Sequence, residues 1–184
     1  MCAPKQFLYP DVGAGITRTL QIGTVAPAAM LLPLPHKEPI VDMDPNNPVV
    51  KMCVQGMQAE SEGRHDDARR LFEQAWAERS DDYEACIAAH YLARHQERPQ
   101  DVLRWNQTAL DHAKLVDDER VHGFYPSLYL NLGRAYEQTG HRDKAARYYQ
   151  LGAERVQELP EGPYGDMVRS AIARGQQRIS EVDQ

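Results

Sequence analysis

The sequence of 184 residues predicts an all-α fold built from consecutive helical hairpins. Within residues 126–153, apolar and small residues recur at helical spacing on both sides of Gly140, which is the pattern of two helices with a break between them. The same pattern recurs from Val49 onward. We therefore expect a stack of hairpins, an α-solenoid, with no sheet.

Composition limits the partners that this chain can take. With a formal net charge of −6, it lacks the clustered Lys and Arg that a nucleic-acid partner requires. No apolar run approaches the roughly 20 residues that span a bilayer, so we expect no membrane partner. Three scattered cysteines do not form a disulfide framework, which favours a reducing compartment, the cytoplasm.

Residues 1–48 hold eight of the twelve prolines and no sustained amphipathic period, which predicts an extended or disordered leader. The apolar segment 26–34 is interrupted by prolines and lacks a nearby basic lead-in, which argues against a signal peptide. One hypothesis is that translation starts at Met30 or Met43, so that part or all of residues 1–42 lies outside the native protein. A native intact mass that includes Met1–Asp42 would contradict it.

The first hairpin is predicted over about 49–82. Gly63 separates its two helices, and Asp66 and Asp67 fall in the first turn of the second helix, where the helix dipole favours carboxylates. Asp81 and Glu84 have the spacing of a capping box at the start of the next helix. A second hairpin is therefore expected to begin there.

The second hairpin, about 83–116, departs from the pattern of the first. Counting 34 residues onward from Gly56 and Phe72 of the first hairpin leads to His90 and Asn106. The second hairpin therefore has a histidine in place of the glycine and an asparagine in place of the aromatic residue. Corresponding positions of the second hairpin and the third, 126–159, are all separated by nine residues more than 34. This constant difference indicates one insertion of nine residues, Asp117–Tyr125. We expect this insertion to extend helix 99–116 and to lengthen the following loop.

The tail, residues 163–180, predicts an amphipathic helix that caps the last hairpin. Its apolar and small positions share one side: Val168, Ala171, Ile172, Gly175 and Ile179. The ends of a solenoid need such a cover because each repeat contacts only its neighbours. The total expectation is seven antiparallel helices, with residues 49–180 as the solenoid.

Residues in the third hairpin stand at the intervals of the W-x2-L-G-x2-Y…A-x3-F pattern, namely Tyr129, Leu132, Gly133, Tyr136, Ala145 and Tyr149. The first hairpin has residues at the corresponding positions, namely Met52, Gly56, Ala59, Ala68, Phe72 and Ala75. The chain thus resembles a tetratricopeptide repeat (TPR) protein with about three repeats. This resemblance implies a concave groove, lined by the first helix of each hairpin, that binds a partner.

Carried over position by position, the resemblance implies a groove whose proposed binding residues are Met57, Ile87, Tyr91, Arg94, His95, Asn131, Arg134 and Gln138. The implied function is a non-catalytic scaffold that binds a peptide segment of another protein. Some family members clamp a C-terminal carboxylate with Lys, Asn and Arg. Only Asn131 and Arg134 match that clamp here, and the lysines are missing.

Two interpretations of Arg94 and Arg134 remain open. Their guanidinium groups would hold a carboxylate or phosphate, or they would pair with Glu60, Glu84 or Glu137 as solvated ion pairs. The first interpretation also allows a regulatory subunit or sensor that holds a small anionic ligand beneath residues 117–125.

His90 is expected to form a hydrogen bond within the helix interface. His90 and His95 are five residues apart, which misses chelating geometry, and no metal motif occurs. No motif places a nucleophile beside a histidine, so we expect no enzyme and no cofactor.

The segment Asp11–Gly15 resembles the glycine loop of Rossmann-type methyltransferases only faintly. The strand and the β/α units that such a loop requires are missing around it, which leaves methyltransferase activity a remote alternative. Nothing in the sequence selects an oligomeric state.

Overall fold

A computed structural model describes residues 44–181 of the chain, and within this range the fold is entirely helical, without strands. Seven α-helices follow in order: α1 Pro48–Ser61, α2 His65–Glu78, α3 Asp82–Ala93, α4 Pro99–Ala113, α5 Tyr125–Gln138, α6 Arg142–Glu154 and α7 Pro163–Glu181. The all-α prediction is confirmed for this range. The predicted leader up to residue 43, and the glycine loop within it, lie outside the described residues.

Each helix packs on the next along the chain, from α1 on α2 to α6 on α7, and α1 also contacts α3 while α5 contacts α7. Apart from residues 114–124 between α4 and α5, the connections between packed neighbours are short, which favours antiparallel packing. Gly63 and Gly140 end α1 and α5 with φ of 76° and 79°, the left-handed conformation that glycine adopts without strain. Both predicted hairpin breaks therefore have a backbone cause.

Side-chain caps start two of the helices. Asn47 Oδ1 accepts a hydrogen bond from the Val50 backbone N–H at 2.9 Å, and Asp81 Oδ1 accepts one from the Glu84 N–H at 2.8 Å. The Glu84 carboxylate reaches back to the chain before the helix: it accepts from the backbone N–H of Ser80 at 2.5 Å. Against the opposing effect of burial, the backbone N–H groups of Ser80 and Asp81 both lower its pKa. The caps of α1 and α3 are 34 residues apart, the spacing predicted for the hairpins.

Glycines allow close helix contacts at aromatic rings. Gly56 on α1 lies against the ring of Phe72 on α2, and Gly133 on α5 lies against the ring of Tyr149 on α6. A Cβ on Gly133 would come within 2.7 Å of Tyr149 Cδ1, and one on Gly175 of α7 would come within 2.5 Å of Tyr149 Cε1. These contacts set the spacing between α1 and α2 and among α5, α6 and α7.

The insertion differs from its prediction. Helix α4 ends at Ala113 instead of extending beyond 116, and the inserted residues form a 3-10 helix, Glu119–Phe124. Val121 and Phe124 are three residues apart and both are buried. Because a 3-10 helix has three residues per turn, it places both side chains on one face, toward the core. The expected helix extension is therefore wrong.

The described helices bury two hydrophobic clusters, a larger one that joins α1 to α5 and a smaller one around α6 and α7. Tyr149 belongs to the smaller cluster, and Phe72 to the larger one. Over residues 44–181, every helix is too short or too polar to cross a membrane.

Candidate functional site

The apolar residues expected to line the groove lie within the core. Ile87 is 1% exposed and Tyr91 is 6% exposed, and Met57 is partly buried against the same cluster. Cys53, on the same helix as Met57, is fully buried, and its burial raises the pKa of its thiol to about 12. These side chains support the surface from within and do not present an open apolar strip.

Arg94 and His95 share one carboxylate. Arg94 Nη2 lies 2.8 Å from Glu60 Oε2, and His95 Nε2 lies 2.8 Å from Glu60 Oε1. The Glu60 side chain is only 16% exposed, so both of its oxygens are held in place. Of the two interpretations for Arg94, the structure shows the ion pair with Glu60.

An aromatic stack connects this ion pair to the core. The Tyr91 and Phe72 rings are nearly parallel, at 10° and 5.1 Å between centroids, and the His95 ring lies 5.1 Å from Phe72. The Arg94 guanidinium lies 5.6 Å from the Tyr91 ring centroid. The structure thus brings Tyr91, Arg94 and His95 together around Phe72 and Glu60.

The α5 residues form a second set. Asn131 and Arg134 are partly buried, and Gln138 is exposed. Their spacing of three and four residues puts them on one helix face. Within the described part of the chain, Arg134 has no ion-pair partner, and no hydrogen bond or ion pair joins Asn131, Arg134 or Gln138 to the Arg94 cluster. Arg134 is therefore a partly buried cation that remains available.

The carboxylate nearest to Arg134 along α5 is taken by α7. Glu137 accepts two hydrogen bonds from Arg178, both of 2.9 Å, and one from the Tyr149 hydroxyl at 2.6 Å. The Arg178 hydrogen bonds lower the pKa of Glu137, and Tyr149 and the charge of Arg134 act in the same direction against desolvation. The sequence does not indicate this network, because Glu137 and Arg178 are 41 residues apart and no spacing rule relates them.

His90 is the residue expected to form a hydrogen bond within the helix interface. Its Nδ1 is buried and has no hydrogen-bond partner among residues 44–181. Burial, followed by the charge of Arg94, lowers the pKa of His90 to about 4, so the ring is neutral at pH 7.

A shallow cleft that no sequence pattern indicates lies between α2 and α4. It has a volume of about 340 Å³ and is lined by Arg79, Ser80, Asp81, Asp82 and His112. His112 Nδ1 lies 2.7 Å from Asp82 Oδ1, and the His112 ring contacts Trp76, which in turn meets Trp105 edge-on. Arg79 stacks on Trp76 at 3.6 Å. Arg79, His112 and Asp82 therefore already have partners within the chain.

Residues 44–181 contain no group of three or more His, Cys, Asp or Glu side chains placed to bind a metal ion. No protein-family model matches the chain, and no curated protein matches it. Function must therefore be inferred from the chemistry of the two side-chain sets described above.

Proposed function

We propose that residues 49–180 form a TPR-like solenoid that binds a peptide segment of another protein without catalysis. Two features of the helices support the repeat interpretation. The caps of α1 and α3 recur at the repeat spacing, and a glycine meets an aromatic ring in both the first and the third hairpin. The buried free thiols Cys53 and Cys86 agree with a reducing compartment, so we place this function in the cytoplasm.

The observation that carries the proposal is the partly buried Arg134, which has no ion-pair partner within residues 44–181. An unpaired guanidinium near the core attracts an anionic partner group more strongly than a fully solvated one, because the lower local dielectric strengthens the interaction. We propose that Arg134 binds a carboxylate of the peptide. Asn131 and Gln138, on the same helix face, provide amides that can hydrogen-bond to a peptide backbone.

The side chains around Arg94, at the end of α3, have a different role in this proposal. Glu60 holds Arg94 and His95 in position, so these side chains form a fixed edge of the site. Tyr91, Ile87 and Met57 support that edge from within the core. Val54 on α1 is 48% exposed and supplies apolar surface that the buried positions do not.

The test compares partners captured from the native host by the wild-type chain and by Arg134→Ala. We expect at least one partner to be retained by the wild type and lost by Arg134→Ala, because the variant lacks the anion-binding group. Arg147→Ala is the matched control, since Arg147 is an exposed arginine on α6. Identical partner sets for all three proteins would contradict a site at Arg134.

The same unpaired Arg134 also favours a second function, a regulatory subunit that binds a small anion. The 3-10 helix of the insertion is anchored by the buried Val121 and Phe124, so the ligand would bind at an ordered surface. A thermal-shift screen with anionic metabolites separates the two functions. A ligand at 100 times its Kd stabilises the folded state by about 2.7 kcal/mol, whereas a surface that binds only peptides shows no shift with any metabolite.

A further inference from the structure

The middle hairpin differs from its neighbours where its helices approach each other. In the outer hairpins a glycine on the first helix meets a ring on the second, as Gly56 with Phe72 and Gly133 with Tyr149. The residues at the equivalent positions of α3 and α4 are His90 and Asn106. The middle hairpin thus replaces an apolar contact with two polar side chains.

Each of these side chains carries a buried atom without a hydrogen-bond partner, Nδ1 of His90 and Oδ1 of Asn106. Asn106 is only 3% exposed, and its amide Nδ2 donates to the carbonyl of Val102 at 2.9 Å, which fixes the other end of the side chain. Buried polar atoms in folded proteins are nearly always paired, either with protein groups or with ordered water. His90 and Asn106 stand at the positions where the outer hairpins place a glycine against a ring, so we expect the two unpaired atoms to lie near each other.

The chemistry of the two atoms selects that partner. The neutral His90 ring with its proton on Nε2 presents Nδ1 as an acceptor, and Asn106 Oδ1 is an acceptor as well. Two acceptors cannot bond to each other directly, but one water molecule has two O–H groups and can donate to both. We propose that one ordered water molecule binds between His90 Nδ1 and Asn106 Oδ1 in the α3–α4 interface.

The proposed water site is next to Tyr91, because the His90 and Tyr91 rings are in contact. The His90 ring meets the Tyr91 ring edge-on at 5.2 Å, and the charged groups that act on the pKa of His90 are Arg94 and Glu60. The site is independent of the proposed peptide function, since it depends only on packing between α3 and α4.

The experiment uses NMR on the full chain labelled with ¹⁵N. We expect the His90 ring to show the Nε2–H tautomer. We also expect a long-lived water to give cross-relaxation to the Asn106 side-chain amide protons. A Nδ1–H tautomer with coupling across a direct Nδ1–H···Oδ1 bond would overturn the proposal, as would the absence of a long-lived water signal.

Variants test whether the long-lived water signal comes from the site between His90 and Asn106. His90→Gly/Asn106→Phe rebuilds the pair of the outer hairpins and should abolish the water signal, whereas Gln107→Ala on the same helix should leave it intact. Persistence of the signal in the double variant would place the water elsewhere and overturn the proposal. If the double variant does not fold, Asn106→Leu removes one of the two acceptors, and the tautomer of the wild-type ring still decides the outcome.

Discussion

The ring of Tyr149 lies directly against the backbone of Gly133, with no room for a methyl group between them. Gly175 approaches the same ring from α7. One aromatic side chain therefore sets the spacing of three helices, because each of two helices can approach it only where it lacks a Cβ. The Tyr149 hydroxyl is also fixed, through its hydrogen bond to Glu137.

We expect Gly133→Ala to destabilise the fold by about 1–3 kcal/mol, the usual cost of overpacking a core. This loss should appear even though alanine favours a helix over glycine by about 1 kcal/mol. Chemical denaturation measures it. In a Tyr149→Leu background the ring is gone, so the same substitution should cost less. Equal stability of Gly133→Ala and the wild type would contradict the contact.

A substitution at Gly140 measures the cost of the left-handed backbone conformation without a packing contribution. Its φ is 79°, and a Cβ there would meet no atom within 4 Å. We expect Gly140→Ala to cost about 1 kcal/mol, because an L residue is strained in the left-handed conformation. Gly140→Asn should cost less, since asparagine tolerates this conformation better. Equal losses for both variants in urea denaturation would show that the conformation is not the cause.

The hairpins could be predicted from sequence because their signals are local. Helical periodicity and the breaks at Gly63 and Gly140 depend on residues that are near each other in the chain. The same local rules misjudged the insertion, where the burial of Val121 and Phe124 outweighed continuation of α4. Helix ends are decided by such tertiary contacts as much as by propensity.

The candidate site was harder to predict than the fold. A repeat position shows which way a side chain faces within one hairpin, but burial depends on every helix packed around it, so Ile87 and Tyr91 were expected at a surface and lie in the core. Ion pairing follows the same principle. Glu60 reaches Arg94 from another helix, and Arg178 of α7 reaches the Glu137 carboxylate, which is the one closest to Arg134 along α5.

The pair between Glu137 and Arg178 should hold α7 on α5. We expect Arg178→Gln to destabilise the fold by about 1 kcal/mol, a modest loss because both side chains are partly exposed and solvent screens their charges. Amide hydrogen exchange should accelerate in α7 more than in α1. Arg174→Gln, at an exposed position of the same helix, is the control. Unchanged exchange in α7 would contradict a docking role for the pair.

His90 should make the fold sensitive to acid. Burial, and then the charge of Arg94, lowers its pKa to about 4 in the folded chain, whereas an unfolded histidine has a pKa of about 6.5. Between these values the unfolded chain binds more protons, so stability falls as the pH drops from about 6.5 toward 4. At pH 5.5 the loss from His90 should be on the order of 1 kcal/mol.

The measurement is urea denaturation of wild type and His90→Gln at pH 7.0 and 5.5. Glutamine does not titrate, so the variant should lose less stability than the wild type between these two values. The carboxylates of Glu84 and Glu137 act in a different range: their pKa values are lowered in the folded chain, so they contribute stability above about pH 4.5 that is lost only at lower pH. They cannot produce a difference between pH 7.0 and 5.5. Equal losses in the two proteins would therefore show that His90 is not held neutral by its burial between α3 and α4.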